Sequence, residues 1–116
     1  MSDITIYQKP TCSKCRETME LLRSKGVDFD SINYFIDPID RATLTELLHK
    51  LSIPAIGLFR TKEPLFRELR IRERSLSDSE LIDVLVQHPE LIERPIVVRG
   101  EKAVLGRPPE NVLKLF

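Results

Sequence analysis

ITIYQKPTCSKC, residues 4–15, contains both cysteines of the 116-residue chain. Its first part, Ile4–Tyr7, is β-branched and aromatic and predicts a strand. The amphipathic stretch Cys15–Lys25 predicts a helix that stops at Gly26, with Cys12 at the N-cap. Unpaired N–H groups and the positive dipole end at a helix start both stabilise a thiolate. A strand that leads into Cys-x-x-Cys at a helix start therefore predicts a reactive thiol.

The rest of the chain predicts a β–α–β unit, a helical insertion and a final β–β–α unit. The expected elements are a strand at Phe29–Asn33, a helix from a cap at Asp40 or Thr43 to Leu51, a short helical piece at Leu65–Leu69, a helix from the capping box Ser77-x-x-Glu80 to Gln87, strands at Pro95–Arg99 and Lys102–Leu105, and a helix from Pro108-Pro109 to Leu115. The crossover rule makes the first two strands parallel. This order predicts the α/β class and a thioredoxin-like fold: a four-stranded mixed sheet flanked by helices, with a helical insertion between strands 2 and 3.

Composition narrows the class of protein. Residues 1–116 are expected to form a single domain. Lys and Arg together number 18, as do Asp and Glu, so the chain has no basic footprint for nucleic acid. No apolar run approaches the length of a membrane span, and the N-terminus has no basic region typical of a signal peptide. Two closely spaced cysteines are not a secreted disulfide framework, so we expect a cytoplasmic protein.

The two cysteines have three interpretations. They could pack as small apolar residues, but the basic neighbours Lys9, Lys14 and Arg16 favour a reactive thiol. A zinc site would need further ligands, and the two histidines of the chain fall in separate predicted helices. We therefore expect no metal, a nucleophile at Cys12, and either a resolving thiol or a bystander at Cys15.

Three arginines, Arg60, Arg94 and Arg107, lie at predicted element boundaries. Guanidinium groups bind tetrahedral oxyanions in bidentate fashion, and binding residues concentrate in such loops. In a chain with 18 basic residues, however, some fall at boundaries without any role, and spacing alone favours that reading, because most charged side chains are solvated surface. Pro95 precedes the third strand, where a thioredoxin-like fold has a cis proline facing the redox thiol, so we expect a cis bond there.

Over essentially its whole length the chain resembles the ArsC-type arsenate reductase family. The resemblance rests on Ile4–Tyr7 leading to Pro10-x-Cys12, on LFRTKEP at 58–64, on QHPELIERPIVV at 87–98, and on RPP at 107–109. It implies a single ArsC-like domain in which Cys12 attacks arsenate while Arg60, Arg94 and Arg107 hold the oxyanion and stabilise the thiolate. It also implies no bound cofactor, glutathione as co-substrate, and glutaredoxin or thioredoxin as the reducing protein.

The chain departs from the family pattern at two positions. A histidine often stands four residues before the nucleophile, where this chain has Gln8, and this bears on how the Cys12 pKa is set. Cys15 stands where members with one active-site cysteine have another residue. A disulfide between Cys12 and Cys15 would change which reductant is needed.

Two other functions fit parts of the pattern. A glutaredoxin-like thiol–disulfide oxidoreductase needs the cysteines but not three arginines. The sequence is also similar to the Spx-type transcriptional regulators, which share the fold and the Cys-x-x-Cys switch and bind the α subunit of RNA polymerase. Arg107 disfavours that reading, because the regulators generally lack an arginine there.

Overall fold

The structure is a computed structural model that describes residues 3–116. Its strands are β1 (Ile4–Gln8), β2 (Asp30–Asn33), β3 (Ile96–Arg99) and β4 (Lys102–Leu105), and its α-helices are α1 (Ser13–Ser24), α2 (Arg41–Leu51), α3 (Pro64–Glu68) and α4 (Asp78–Gln87). Short 3₁₀ segments lie at Ala55–Leu58, Ile71–Glu73, Pro89–Leu91 and Pro109–Leu115. None of the helices within residues 3–116 combines the length and the hydrophobicity needed to span a bilayer.

The four strands form one mixed sheet in the order β2-β1-β3-β4. β1 and β2 are parallel, as the crossover between them predicts, while β3 is antiparallel to both β1 and β4. The sheet with its flanking helices and the helical insertion after β2 confirm the predicted α/β architecture.

The register brings one end of each of the four strands to the same edge of the sheet. Tyr7 near the end of β1 pairs with Ile96 at the start of β3, and Ile96 pairs with Leu105 at the end of β4. The parallel strand β2 ends beside β1, where Asn33 pairs with Gln8. The segments that follow β1, β2 and β4 and the one that precedes β3 therefore share this edge, which we call the site edge.

One face of the sheet is covered by α1 and the 3₁₀ segment Pro109–Leu115. Their side chains and those of the sheet form a buried cluster of Ile4, Ile6, Leu22, Val97, Val112 and Leu115. The turn that ends α1 needs a residue at positive φ, and Gly26 supplies it at φ +70°, as the sequence predicts. The burial of this face fixes α1, and with it the position of Cys12, against β1.

The last helix is a 3₁₀ segment and not an α-helix. Its backbone hydrogen bonds join residues three apart, as from the Asn111 N–H to the Pro108 carbonyl at 3.0 Å. The side chain of Asn111 also donates to the carbonyls of Leu105 and Arg107, at 3.0 and 3.1 Å. These bonds tie the segment to the end of β4.

The described chain divides into two compact units. Unit 1 contains the sheet and comprises the described residues up to Asp37 together with Arg94–Phe116, and unit 2 is the insertion Pro38–Glu93. Within unit 2, Asp40 is the cap of α2, since its side chain accepts from the Thr43 N–H at 2.8 Å. The predicted capping box of α4 is confirmed, with both reciprocal hydrogen bonds present.

Candidate active site

Cys12 lies at the site edge as the N-cap of α1. Its backbone is extended, with φ −85° and ψ 122°, so the helix begins directly after it at Ser13 and not at Cys15 as expected. The Cys12 N–H donates to the Lys9 carbonyl at 2.9 Å, which closes the turn between β1 and α1. The thiol is half-buried. It is therefore accessible and next to the positive end of a helix.

Two of the three predicted arginines meet at this thiol. The Nη2 of Arg107 lies 3.5 Å from the Cys12 Sγ, and its Nε donates to the Arg94 carbonyl oxygen at 2.6 Å. Arg94 is only 6% exposed, and its Nη1 lies 3.5 Å from the Tyr34 hydroxyl. Burial lowers the pKa of Arg94, but the Tyr34 hydroxyl and the Cys12 sulfur more than offset this and raise it. Arg94 thus keeps its charge although it is buried.

The surroundings lower the pKa of Cys12. Burial by itself raises that pKa, but the S–H and backbone N–H of Cys15 and the charges of Arg107 and Arg94 outweigh it. The sulfur makes no capping hydrogen bond of standard geometry, so the stabilisation is spread over these groups. Cys12 is consequently the thiol of this chain that ionises more easily.

Cys15 lies one turn further along α1 and has the opposite character. Its side chain is fully buried. Burial, the dominant cause, raises its pKa to about 12, and the neighbouring Cys12 adds to that shift. Cys15 therefore stays protonated at neutral pH, and its S–H group is among the groups that lower the Cys12 pKa.

A tight contact positions the two arginine-bearing segments. The peptide bonds Arg94–Pro95 and Arg107–Pro108 are both cis, and the Gly106 N–H donates to the Pro95 carbonyl at 2.9 Å. The buried Thr18 hydroxyl lies 2.8 Å from the Lys14 carbonyl and 3.4 Å from that of Gly106. Any Cβ at position 106 would lie 2.7 Å from Pro95 Cγ and 2.8 Å from Thr18 Oγ1. Only glycine fits there without displacement.

Gln8 is 6% exposed at the end of β1. Its Nε2 donates to the Ser31 hydroxyl of β2 at 2.9 Å, while its Oε1 is buried without a hydrogen bond from any residue of 3–116. Gln8 is not among the groups that shift the Cys12 pKa. The thiol is tuned here by Cys15, Arg107 and Arg94 in a chain that lacks the histidine often found at this position.

Arg60 belongs to unit 2 and is described within it. Its Nη1 lies 3.3 Å from a Glu93 carboxylate oxygen and its Nε 3.8 Å from one of Glu63. The antiparallel bridge between Phe59 and Ile92 places Arg60 opposite Leu91, and the Arg60 side chain reaches the Glu93 carboxylate diagonally across this bridge. The structure thus brings Cys12, Cys15, Arg94 and Arg107 together within unit 1, and the role of Arg60 stays a prediction.

Sequence reasoning missed Tyr34, which is fully buried and faces Arg94. A signal for it exists, because Tyr34 directly follows a strand parallel to β1, and ligand-binding residues gather where parallel strands end. The Thr18–Gly106 contact carries no such signal, since the two residues are far apart in sequence. Within residues 3–116, no three His, Cys, Asp or Glu side chains come close enough to hold a metal ion.

Comparisons with known proteins place these residues in context. The ArsC family model matches residues 7–115. The uncharacterized protein YfgD of Escherichia coli K12 is 47% identical over 113 residues, which cover 97% of this chain and 95% of YfgD. An arsenate reductase of the same strain is 39% identical over 116 residues, all of this chain and 82% of that protein. A solved arsenate reductase structure from Vibrio cholerae matches with a TM-score of 0.93 at 39% identity, over 97% of both chains.

The role of Cys15 as a donor can be tested with two variants that differ only in the donor group. Cys15→Ala removes the S–H group and should raise the Cys12 pKa, whereas Cys15→Ser keeps a donor and should leave that pKa closer to the parent value. The measurement is the pH dependence of Cys12 alkylation by iodoacetamide, because only the thiolate reacts. Identical upward shifts in both variants would contradict the role of the donor.

The fit at Gly106 predicts a loss of stability. Gly106→Ala should cost about 1–3 kcal/mol of unfolding free energy, as overpacked sites do, because Pro95 and Thr18 must move. Gly57→Ala is the matched control: its Cβ would meet only Ile53 at 3.5 Å, so its change should stay within about 0.5 kcal/mol. Urea unfolding of both variants gives the comparison, and equal stability of the two would show that the contact at Gly106 relaxes freely.

Proposed function

The chain belongs to the ArsC family, and we propose that it reduces arsenate to arsenite through the Cys12 thiolate. The observation that carries the proposal is the 3.5 Å approach of the Arg107 guanidinium to the Cys12 Sγ, with Arg94 beside it. A general thiol–disulfide exchange site needs an activated thiol but no pair of guanidinium groups around it. A site that binds a tetrahedral oxyanion and attacks it needs both the activated thiol and the guanidinium groups.

Arg94 and Arg107 would bind the arsenate oxygens through guanidinium N–H donors. The Arg94 Nε is buried and has no hydrogen-bond partner among residues 3–116, so it is a donor available for such a ligand. The N–H groups at the start of α1 add the positive end of the helix dipole. Arg60 is the third arginine that the family resemblance assigns to the oxyanion.

In the first step the Cys12 thiolate attacks arsenic(V). A sulfur–arsenic bond forms, an arsenic–hydroxyl bond breaks, and the hydroxide takes a proton and leaves as water. The guanidinium groups that stabilised the thiolate then face the arsenate oxygens, where the negative charge remains. The adduct is a thiol ester of arsenic acid on Cys12.

In the second step another thiol attacks the Cys12 sulfur. A sulfur–sulfur bond forms between this thiol and Cys12 as the sulfur–arsenic bond breaks. The electron pair of the broken sulfur–arsenic bond stays on arsenic and reduces it from arsenic(V) to arsenic(III). Arsenite leaves and a disulfide remains on Cys12. A further thiol reduces this disulfide, so that in total two thiols become one disulfide.

We assign the second thiol to glutathione, with glutaredoxin or thioredoxin completing the cycle. Cys15 is fully buried, and its pKa of about 12 keeps it in the unreactive thiol form at neutral pH. An external thiol reaches the half-buried Cys12 more readily. The proposal places the reaction in the cytoplasm, where thiols are kept reduced.

A glutaredoxin-like thiol–disulfide oxidoreductase is the second candidate. The second thiol one helical turn from Cys12 favours it, because the pair could close a disulfide if α1 opens locally at its start. The 47% identity to a protein of uncharacterized function, beside 39% to an arsenate reductase of the same organism, leaves room for this activity. Disulfide reduction and arsenate reduction should therefore be assayed side by side.

The proposed activity predicts arsenite formation that depends on Cys12. The parent chain with arsenate, glutathione and glutaredoxin should produce arsenite, and Cys12→Ser should lower the rate by roughly 10³-fold or more, because the nucleophile is lost. Cys15→Ser should keep most of the activity with glutathione. Arsenite formation by Cys12→Ser at the parent rate would refute the role of Cys12, and faster disulfide reduction than arsenate reduction by the parent would favour the second candidate.

The arginine pair predicts a loss of transition-state binding. Arg107→Lys keeps a positive charge but loses the planar fork, and kcat/KM for arsenate should fall by about 30-fold, as expected for a lost, partly buried charged contact. Arg67→Ala removes an exposed arginine of unit 2 and should leave kcat/KM within about twofold. An equal effect of both substitutions would show that Arg107 acts only through net charge.

A further inference from the structure

Two large apolar residues are exposed side by side at the site edge. Ile36 is 75% exposed and Phe35 is 37% exposed, directly after the buried Tyr34. The other exposed large apolar side chains within residues 3–116 are Val86, Leu113 and Phe116, and none of these three neighbours another in sequence. Consecutive exposed apolar residues beside a reactive group are a sign of an interaction surface.

This pair adjoins the nucleophile through Lys9 and Arg94. The Lys9 Nζ lies 4.7 Å from the centre of the Phe35 ring, and the Arg94 guanidinium lies 5.7 Å from it. The Lys9 carbonyl also accepts a hydrogen bond from the Cys12 N–H, and the Arg94 guanidinium interacts with the Cys12 sulfur. Phe35 and Ile36 therefore border the surface from which another molecule would approach Cys12.

The proposed substrates do not account for this surface. Arsenate has no apolar part. Glutathione is a small polar peptide, and contact with the apolar Ile36 would add little to its binding free energy. A protein that reduces a disulfide on Cys12 must bring its own sulfur within bonding distance of a half-buried thiol. Such a protein must cover the residues that border Cys12.

Charge indicates which kind of protein fits. No carboxylate of residues 3–116 lies within ion-pair distance of the Lys9 ammonium, which lies over the face of the Phe35 ring. Arg94 and Arg107 add positive charge beside Cys12. A partner that brings acidic residues next to its reactive cysteine would match this surface.

We propose that Lys9, Phe35 and Ile36 form the docking surface for an acidic-rimmed thiol protein that regenerates Cys12. The proposal rests on the proposed function, in which glutathione ends up in a disulfide with Cys12. The partner's thiolate attacks the glutathione sulfur of that disulfide, and a new sulfur–sulfur bond forms between partner and glutathione. The old sulfur–sulfur bond breaks, and Cys12 leaves as the thiolate that its surroundings stabilise.

The test starts from the chain with Cys12 already joined to glutathione, in a Cys15→Ser background that excludes an internal disulfide. Glutaredoxin and thioredoxin serve as separate protein reductants, and neutral dithiothreitol serves as the small one. The readout is the rate constant for release of the Cys12 thiol, followed by mass spectrometry. No arsenate is present, so failure of arsenate reduction and failure of the docking surface are distinguished.

Ile36→Glu places a charge on the apolar surface. It should slow reduction about tenfold by whichever of glutaredoxin and thioredoxin reduces the parent chain faster, while the rate with dithiothreitol stays within about twofold. Lys9→Gln should slow the protein reaction mainly at low salt, because it removes an electrostatic contact. Leu113→Glu is the matched control: its side chain is 42% exposed in the last 3₁₀ segment, and it should change neither rate. Equal rates for Ile36→Glu and Leu113→Glu with both proteins, or equal slowing of the protein and dithiothreitol reactions by Ile36→Glu, would overturn the proposal.

Discussion

The pairing of Tyr7 with Ile96 and of Ile96 with Leu105 is the constraint on which the candidate site depends. Because side chains alternate along a strand, a slip of one residue in either pair would move the buried set of β3 to the opposite face of the sheet. With the register as it is, the residues that follow β1, β2 and β4 and those that precede β3 meet at one edge. Cys12, Tyr34, Arg94 and Arg107, which lie up to 95 positions apart, become neighbours there.

The same geometry makes the two cysteines unequal. One turn of α1 separates an accessible Cys12, whose pKa is lowered, from a buried Cys15, whose pKa is raised to about 12. Each of these shifts depends on the other, since each thiol is among the groups that shift the pKa of its neighbour. Arg107 reaches that sulfur while its Nε is held by the Arg94 carbonyl, so one positively charged group is positioned by the backbone of another. In this chain the Cys-x-x-Cys pair thus combines a thiol that ionises readily with one that stays protonated.

Local patterns were enough to predict much of this fold. The β–α–β start, the N-cap position of Cys12 and the capping box Ser77-x-x-Glu80 each depend on residues close in sequence, and the structure confirms them. The meeting of Arg94 with Arg107 depends on the antiparallel register of β3 and β4, which no local pattern encodes. The fit of Gly106 against Thr18 and Pro95 depends on distances of a few tenths of an ångström, which sequence does not give. Arg60 illustrates the same limit, since its ion pair with Glu93 spans 33 positions.

The central claim is that an oxyanion binds where the Cys12 thiolate lies, and protection of Cys12 from alkylation tests it most directly. The rate of iodoacetamide labelling at Cys12 is measured by peptide mass spectrometry as arsenate is added, without any reductant. The account predicts that arsenate slows the labelling in a saturable way, and that sulfate at equal ionic strength slows it less, because sulfate carries no hydroxyl that the thiolate could displace. A labelling rate that does not change with arsenate concentration would contradict it.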